Sequence, residues 1–526
     1  MKNKIISRRD AIKTMGLTAT AMLTGCGTVQ IAPRKSNAAE LPNIILVMSD
    51  DLGWGDVAYN GNPTVHTPHL DAMAEETVRL DQFYAAFPVC SPTRASCLTG
   101  RHPYRYGIEW AGELPLKREE VTIAEALRDA GYATGHFGKW HMGGLSKTLK
   151  QSYFPGPVDP ANYSPPWENG FDECFSTESM VPTYNPSYHV GGAFGEDNYR
   201  HLQTESVAFN QRTGGHRWRT CFWTGHGRVV DRWLGGYESK LVMDRALEFM
   251  SRQVVAKRPF LTLVWFHTPH TPLVASHEDC QLYGDQPMQA QHWFGAITAM
   301  DRQVGRLRSW LREKDTHEDT IVWFCSDNGP SYIHDFNSAG PYRGKKATLW
   351  EGGVRVPGIV EWPSRIQGGR AIKAPMSTSD FYPTLLAAAG VKFPIGQPPL
   401  DGIDVMPLLT GKRERRDAPI AFQAPVKSEK DVLAEPGTKQ MSLVDDRYKL
   451  LSVNGGKKWM LFDLDSDPGE TNDLAADQTE RVLQMRQALQ TWIDCCARSA
   501  AGDDYERRQD NGALLHNLQG KRMTVR

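Results

Sequence analysis

Three predominantly apolar runs of strand length punctuate the chain: Asn43–Ser49, Phe260–Phe266 and Thr320–Cys325. None alternates polar with apolar positions, which is the pattern of a strand buried on both faces of a parallel sheet. Tyr132–Phe137 adds a shorter strand. Helical spacing fills the gaps between them. Thr67-Pro68 opens a helix with Leu70, Met73, Ala74 and Thr77 on one face. Thr122 and Glu125 form a capping-box pattern for a helix that ends at Gly131. A helix spans Glu238 to Ser251, and Ile297, Met300, Val304, Leu307 and Leu311 mark the buried face of another. Strands alternating with helices predict an α/β fold on a doubly wound, mostly parallel sheet. Each strand ends in polar residues, so one site along the carboxyl edge of that sheet is expected.

The pattern changes past residue 415. Ser442–Val453 and Met460–Leu464 read as antiparallel strands around a Gly455-Gly456 turn, and Asp465–Glu470 is a further turn. A helix from about Thr479 places Val482, Met485, Leu489, Trp492 and Ile493 on one face. The expected organisation is a main domain over 41–415 and a smaller C-terminal α+β subdomain with a polar tail over 416–526. From Leu145 to Arg228 the periodicity lapses, and aromatic and basic residues crowd together, including Tyr188, His189, Tyr199, Arg200, His201, Arg217, Trp218 and Arg219. A long insert of this kind is usually functional. Its aromatic faces and guanidinium groups suit an anionic sugar, with Arg217 and Trp218 as substrate contacts.

Composition narrows the partners. The 526 residues carry a formal net charge of −1, which provides no basic field for nucleic acid. The first segment stands apart from the core. Lys2, Lys4 and Arg8-Arg9 precede an apolar run, Ala11 to Leu23, that is too short to span a bilayer. Ser7–Lys13 resembles a twin-arginine export signal, and Leu23-Thr24-Gly25-Cys26 resembles a bacterial lipoprotein box with Cys26 as the lipidated residue. Residues 1–26 are therefore expected to be an export signal and 27–40 a tether, giving a periplasmic or cell-surface lipoprotein that meets membrane only through its anchor. Of the nine cysteines, none forms a C-x-x-C pair. One or two disulfides remain open, with Cys174 and Cys221 a candidate pair.

Chemistry concentrates at the strand ends. Asp50-Asp51 follows the first strand, and Asp327-Asn328 follows the last. Hard oxygen donors of this kind suit Ca²⁺ or Mg²⁺. Lys139 and His141 follow the Tyr132–Phe137 strand, while His267 and His270 follow Phe260–Phe266. Phe87–Arg101 reads as an approach loop and a helix start, with Cys90 just outside the helix N-terminus and Arg94 in its first turn. Such a position favours an anion and depresses a thiol pKa.

Cys90-Ser91-Pro92-Thr93-Arg94, followed by Ala95–Arg101, closely resembles the signature of the type I sulfatases, in which the cysteine is oxidised to Cα-formylglycine. Cys97 departs from the pattern, standing where an aliphatic residue is more usual. The remaining motifs recur in family order: Asp-Asp, Gly-Lys-x-His, Pro-His, Asp-Asn-Gly and a Gly-Lys-Lys run. In that run, counting back from Glu351-Gly352-Gly353 selects Lys346. The resemblance implies an alkaline-phosphatase-like fold and hydrolysis of sulfate monoesters. It also implies Ca²⁺ held by Asp50, Asp51, Asp327, Asn328 and modified Cys90. Arg94 and Lys139 would steady the formylglycine, while Lys346 and His270 would hold the sulfate. One hydroxyl of the hydrated aldehyde would attack sulfur and His270 would protonate the departing alcohol. His141 would then help the second hydroxyl expel sulfate. His267 is a further substrate-contact candidate. The implied partners are a sulfated polysaccharide or oligosaccharide and the enzyme that generates formylglycine. A phosphodiesterase or phosphonate monoester hydrolase of the same superfamily is the alternative, and a non-catalytic glycan-binding lipoprotein would not need the whole set.

Overall fold

The computed structural model describes residues 41–148, 160–186, 188–189, 216–217, 221–230, 234–331, 336–426 and 437–505. The expected export signal with Cys26, the expected tether, Trp218 and the residues from 506 lie outside these residues. A ten-stranded sheet forms the centre. In chain order its strands are β1 (Asn43–Ser49), β2 (Val78–Leu80), β3 (Ala133–Lys139), β4 (Glu173–Thr177), β5 (Phe222–Gly225), β6 (Arg228–Val230), β7 (Phe260–Trp265), β8 (Thr320–Ser326), β9 (Gly358–Glu361) and β10 (Arg370–Ile372). Their spatial order is β10-β2-β9-β8-β1-β7-β3-β4-β5-β6. The middle five, β8-β1-β7-β3-β4, are mutually parallel, and the antiparallel pairings lie outside them.

Both faces of the sheet are covered, as the unbroken apolar runs require. Ile44, Leu46 and Met48 of β1 pack on one side with Leu98 of α2 (Cys90–Thr99) and with Ile123 and Leu127 of α3 (Ile123–Asp129). Ile45 and Val47 point the other way, toward α1 (Pro68–Glu76), α4 (Glu238–Ala256) and α5 (Met288–Glu313). Each such buried aliphatic side chain contributes roughly 1.5–3 kcal/mol. The Thr122–Glu125 capping box forms as expected.

The C-terminal region holds a separate antiparallel sheet of β11 (Ile420–Pro425), β12 (Lys439–Asp445), β13 (Tyr448–Ser452) and β14 (Met460–Asp463), in that order. With α6 (Thr479–Ala500) it shares a core that also contains Phe87, Val89, Cys90, Leu349 and Trp350. The strand anticipated over Ser442–Val453 is two strands, joined where Asp446 takes a left-handed turn at φ 54°.

Two expectations need correction. The 145–228 segment is not without regular structure, because β4 extends the parallel run and β5 and β6 close that edge. These strands are short and flanked by Gly and Pro, which hid them. Among the described residues no disulfide forms, so Cys174 and Cys221 are not joined. The β4–β5 register pairs Thr177 with Phe222. Extended along both strands, it sets the two cysteines four positions apart, about 13 Å at strand rise, beyond the reach of a bridge.

Candidate active site

The four adjacent strands β8, β1, β7 and β3 deliver the site from their carboxyl ends. Ser49 pairs with Ser326, so Asp50 and Asp327 leave neighbouring strands at one level. Met48 pairs with Trp265, and Trp265 with Gly138, which brings the segments after β7 and β3 alongside. Backbone bonds lock the level: Asp327 N–H donates to the Ser49 carbonyl at 3.1 Å, and Asp50 N–H to the Thr268 carbonyl at 3.0 Å.

Asp50, Asp51 and Asp327 face Arg94, Lys139 and Lys346. Lys139 Nζ donates to Asp50 Oδ2 at 2.5 Å, and Lys346 Nζ to Asp51 Oδ1 at 2.5 Å. Arg94 donates to Asp327 Oδ2 through its NH2 at 2.7 Å and to the Lys139 carbonyl through NH1 at 3.0 Å. Asn328 Nδ2 donates to Asp51 Oδ1 at 2.7 Å. His270 Nε2 lies 3.7 Å from Asp51 Oδ2, and its Nδ1 donates to the Thr271 carbonyl at 2.6 Å. The structure thus brings Asp50, Asp51, Cys90, Arg94, Lys139, His270, Asp327, Asn328 and Lys346 together from across the chain.

The backbone is unusual where it carries these groups. Asp51, His141 and Ala347 hold positive φ of 65°, 60° and 72°. Such conformations cost about 1–3 kcal/mol each and persist only where the surroundings enforce them. His141 is therefore not presented by an extended strand end. Its N–H donates to the Glu178 carbonyl at 2.9 Å, and Nε2 lies 3.5 Å from Ser179 Oγ. A Cβ at Gly329 would fall 1.9 Å from the Gly352 carbonyl oxygen, so this pair of glycines lets the Asp327-Asn328 turn close on the Lys346 segment.

Cys90 is the first residue of α2, inside the helix, and it is buried. Burial raises its thiol pKa, and Lys139 and Lys346 do not cancel that. The low-pKa expectation thus fails because a helix end cannot outweigh desolvation. Burial would also raise Asp50, but Lys139, His270, Arg94 and Lys346 hold it well below the usual carboxylate range. Asp327 is pushed up by burial and by the Asp50 charge. Burial lowers His141 strongly and His270 to about 4.

The donor set fits a hard cation. Ligand atoms of Asp50, Cys90 and Asp327 lie within 4.8 Å of one another, as do those of Asp50, Asp51 and His270. Asp50 Oδ1 and Asn328 Oδ1 are buried acceptors without a hydrogen-bond partner. An orphaned buried acceptor costs about 1–3 kcal/mol, and an oxygen-seeking ion would satisfy both.

Sequence reasoning missed three groups around this centre. Glu238, Ser179 and Gln440 are buried and reach the segments of His270, His141 and Lys346 respectively. Their residue types carry no motif. His267, expected at the substrate, is wholly buried, with Nδ1 on Glu238 and Nε2 on Thr177. Arg217 contributes to a short strand paired with Tyr188–His189.

Fold and site together define a hydrolase of anionic esters. Comparison with known proteins specifies which. The sulfatase family model matches residues 42–391, and the model for the N-sulphoglucosamine sulphohydrolase C-terminal region matches 344–494. Human (Homo sapiens) steryl-sulfatase is 32% identical over 443 residues, covering 74% of this chain and 73% of that protein. Arylsulfatase G of Rattus norvegicus is 31% identical over 489 residues, covering 84% of each. The crystal structure of Ps i-CgsB in complex with k-i-k-neocarrahexaose superposes with a TM-score of 0.71 at 25% identity, covering 91% of this chain and 100% of that one. The chain belongs to the sulfatase family. It is a sulfuric ester hydrolase.

Proposed function

We propose that this sulfatase removes sulfate from a sulfated polysaccharide or oligosaccharide, using formylglycine made from Cys90 and Ca²⁺ held by Asp50, Asp51, Asp327 and Asn328. The observation that carries this reading is the placing of Cys90 among three carboxylates from adjacent strand ends and the three cations that face them. When bound, the ion and the aldehyde hydrate supply a nucleophilic oxygen with its charge compensated. Arg94 and Lys139 fix Asp327 and Asp50 around it. Lys346 and His270 face Asp51 from the substrate side and bind the sulfate oxygens. His270 Nδ1 is committed to the Thr271 carbonyl, so Nε2 is the nitrogen that passes a proton to the departing alcohol. His141 serves as the base that regenerates the aldehyde. In this scheme residues 41–415 carry the reacting groups and the segment from 416 supports them.

The glycan assignment draws on the neocarrahexaose bound by Ps i-CgsB and on the aromatic and basic insert. Export as a lipid-anchored protein through Cys26, and conversion of Cys90 by a formylglycine-generating enzyme, complete the proposal. Among the described residues no helix is long and apolar enough to cross a membrane. Mass analysis of the Cys90 peptide tests the chemistry: an aldehyde is expected, and full activity with an intact thiol would defeat it. Rates on an aryl sulfate and a matched phosphodiester, followed by sulfate release from defined oligosaccharides, test the substrate class. Replacing Arg217, Trp218 and Arg219 by alanine should reduce oligosaccharide turnover more than aryl sulfate turnover.

A further inference from the structure

We propose that Glu238 and His267 form a buried hydrogen-bonded pair that positions His270 against the leaving oxygen, so that Glu238 is a positioning residue for the reaction. This rests on the assignment of His270 as proton donor. Glu238 opens α4, where an acidic residue ordinarily serves the helix dipole from the surface. Here it is wholly buried and reaches away from its own helix to the segment that follows β7.

Its hydrogen bonds hold that segment. Oε1 accepts from His267 N at 3.2 Å, Thr268 N at 3.0 Å and Thr268 Oγ1 at 2.7 Å. Oε2 lies 3.1 Å from His267 Nδ1. On the far side of the ring, Nε2 lies 2.7 Å from Thr177 Oγ1, whose hydroxyl hydrogen is committed to the Ser179 carbonyl at 2.6 Å. Thr177 can therefore only accept from the ring, so Nε2 carries a proton and a second proton lies between Nδ1 and Oε2. His267 is held at both ring nitrogens, between Glu238 and Thr177.

The consequence falls on the reacting groups. The His267 carbonyl accepts the His270 N–H at 2.7 Å, and the Thr268 carbonyl accepts the Asp50 N–H at 3.0 Å. One carboxylate thus sets the backbone turn that aims His270 and the acceptor that steadies Asp50. Without it, the His267 ring and two backbone N–H groups would be left without partners inside the protein, and the turn would rearrange to satisfy them.

The test uses the full-length enzyme and three esters whose phenols are progressively poorer leaving groups: 4-nitrophenyl, phenyl and 4-methylphenyl sulfate. A departing 4-nitrophenolate needs little proton assistance, whereas the others depend on it. Glu238→Gln preserves size but turns an amide N–H toward His267 Nδ1. It is expected to lower kcat on 4-methylphenyl sulfate about tenfold, and on 4-nitrophenyl sulfate by no more than about twofold. Thr268→Ala removes one donor to Glu238 and should shift the series in the same direction, less strongly. Thermal melting shows which variants fold, and Thr268→Ala carries the test if Glu238→Gln does not. Equal losses across the three esters would overturn the positioning role. His270→Ala, measured alongside, should show the steepest dependence. A flat His270→Ala series would overturn the assignment of His270 itself, whereas a steep one beside a flat Glu238→Gln series would overturn only the role of Glu238.

Discussion

Gln440 grips Ala347 from the C-terminal sheet. Its Nε2 donates to the Ala347 carbonyl at 2.8 Å, while its Oε1 accepts the Leu349 N–H at 2.9 Å. Ala347 sits at φ 72°, next to Lys346, and its own N–H donates to the Pro88 carbonyl just ahead of Cys90. One buried amide on β12 therefore holds a strained turn that links Lys346, the proposed sulfate ligand, to the cysteine loop.

Gln440→Ala would leave a backbone carbonyl and a backbone N–H without partners, at about 1–3 kcal/mol each. The turn would relax, and Lys346 would lose its fixed approach to Asp51. KM for 4-nitrophenyl sulfate should rise about fivefold with a smaller change in kcat, because substrate binding is the part disturbed. Gln440→Glu should be worse than alanine, since a carboxylate would meet the Ala347 carbonyl with no proton to donate. Steady-state kinetics of the two variants check both statements, and an unchanged KM in both would refute the link.

Lys449 joins the same support. It is wholly buried and contacts Glu351 at 2.9 Å and Glu470 at 2.8 Å, while Arg355 and Tyr84 take the other Glu351 oxygen. Lys449→Met keeps the length of the side chain but strands the buried Glu470 and leaves Glu351 with only Arg355 and Tyr84. Removing one partner from such a cluster costs about 3–5 kcal/mol. Urea unfolding should show a loss of that order. Adding Glu470→Gln to the variant should recover part of it, because the orphaned charge and not the lost contact carries most of the cost.

Three of the strand ends were legible because each follows a predominantly apolar run, and a run of that kind fixes both strand type and the edge where it ends. Asp50, His270 and Asp327 could be placed on one edge for that reason, and Lys139 was placed beside them from the shorter strand Tyr132–Phe137. Their supports could not. Glu238 lies 29 residues from His267, and Gln440 lies 93 from Ala347, with nothing in either residue type to announce the pairing. Local reasoning also misjudged Cys90, since a helix start is visible in sequence whereas the burial that raises its thiol pKa depends on a core assembled from distant parts of the chain. The same limit applied to Cys174 and Cys221, whose separation depends on the β4–β5 register.

His292 on α5 should set an acid limit on stability. It is buried, and its Nδ1 accepts the Ala275 N–H at 2.9 Å, a bond that protonation at that nitrogen would break. Burial lowers its pKa to about 4. The unfolded chain, with a histidine near 6.5, binds the proton first as pH falls, so the stabilising contribution is complete above about pH 6.5 and is lost on approach to pH 4. The loss amounts to about 3 kcal/mol at the lower end. His292→Asn can still accept the Ala275 N–H but does not titrate. Unfolding free energies measured from pH 4.5 to 7.5 should fall more steeply toward acid in the wild type than in the variant. Parallel curves would exclude His292 as the cause.

Calcium should stabilise the fold through the four oxygen-bearing residues proposed to bind it, and that effect can be read without any turnover. Asp50 Oδ1 and Asn328 Oδ1 are buried acceptors with no hydrogen-bond partner, so an ion that binds them relieves a cost paid only in the folded state. A ligand at a hundredfold excess over its Kd adds about 2.7 kcal/mol, which for a domain of this size raises Tm by roughly 3 °C. Ca²⁺ added to chelator-treated protein should give such a shift. Mg²⁺ should give less, because it demands a tighter octahedral shell and sheds water reluctantly. Asp327→Ala lowers the starting Tm as well, since it strips Arg94 of its partner at 2.7 Å. The informative quantity is therefore the Ca²⁺-induced shift and not the absolute Tm. That shift should vanish in Asp327→Ala and shrink in Asn328→Ala, and an undiminished shift in both would place the ion elsewhere.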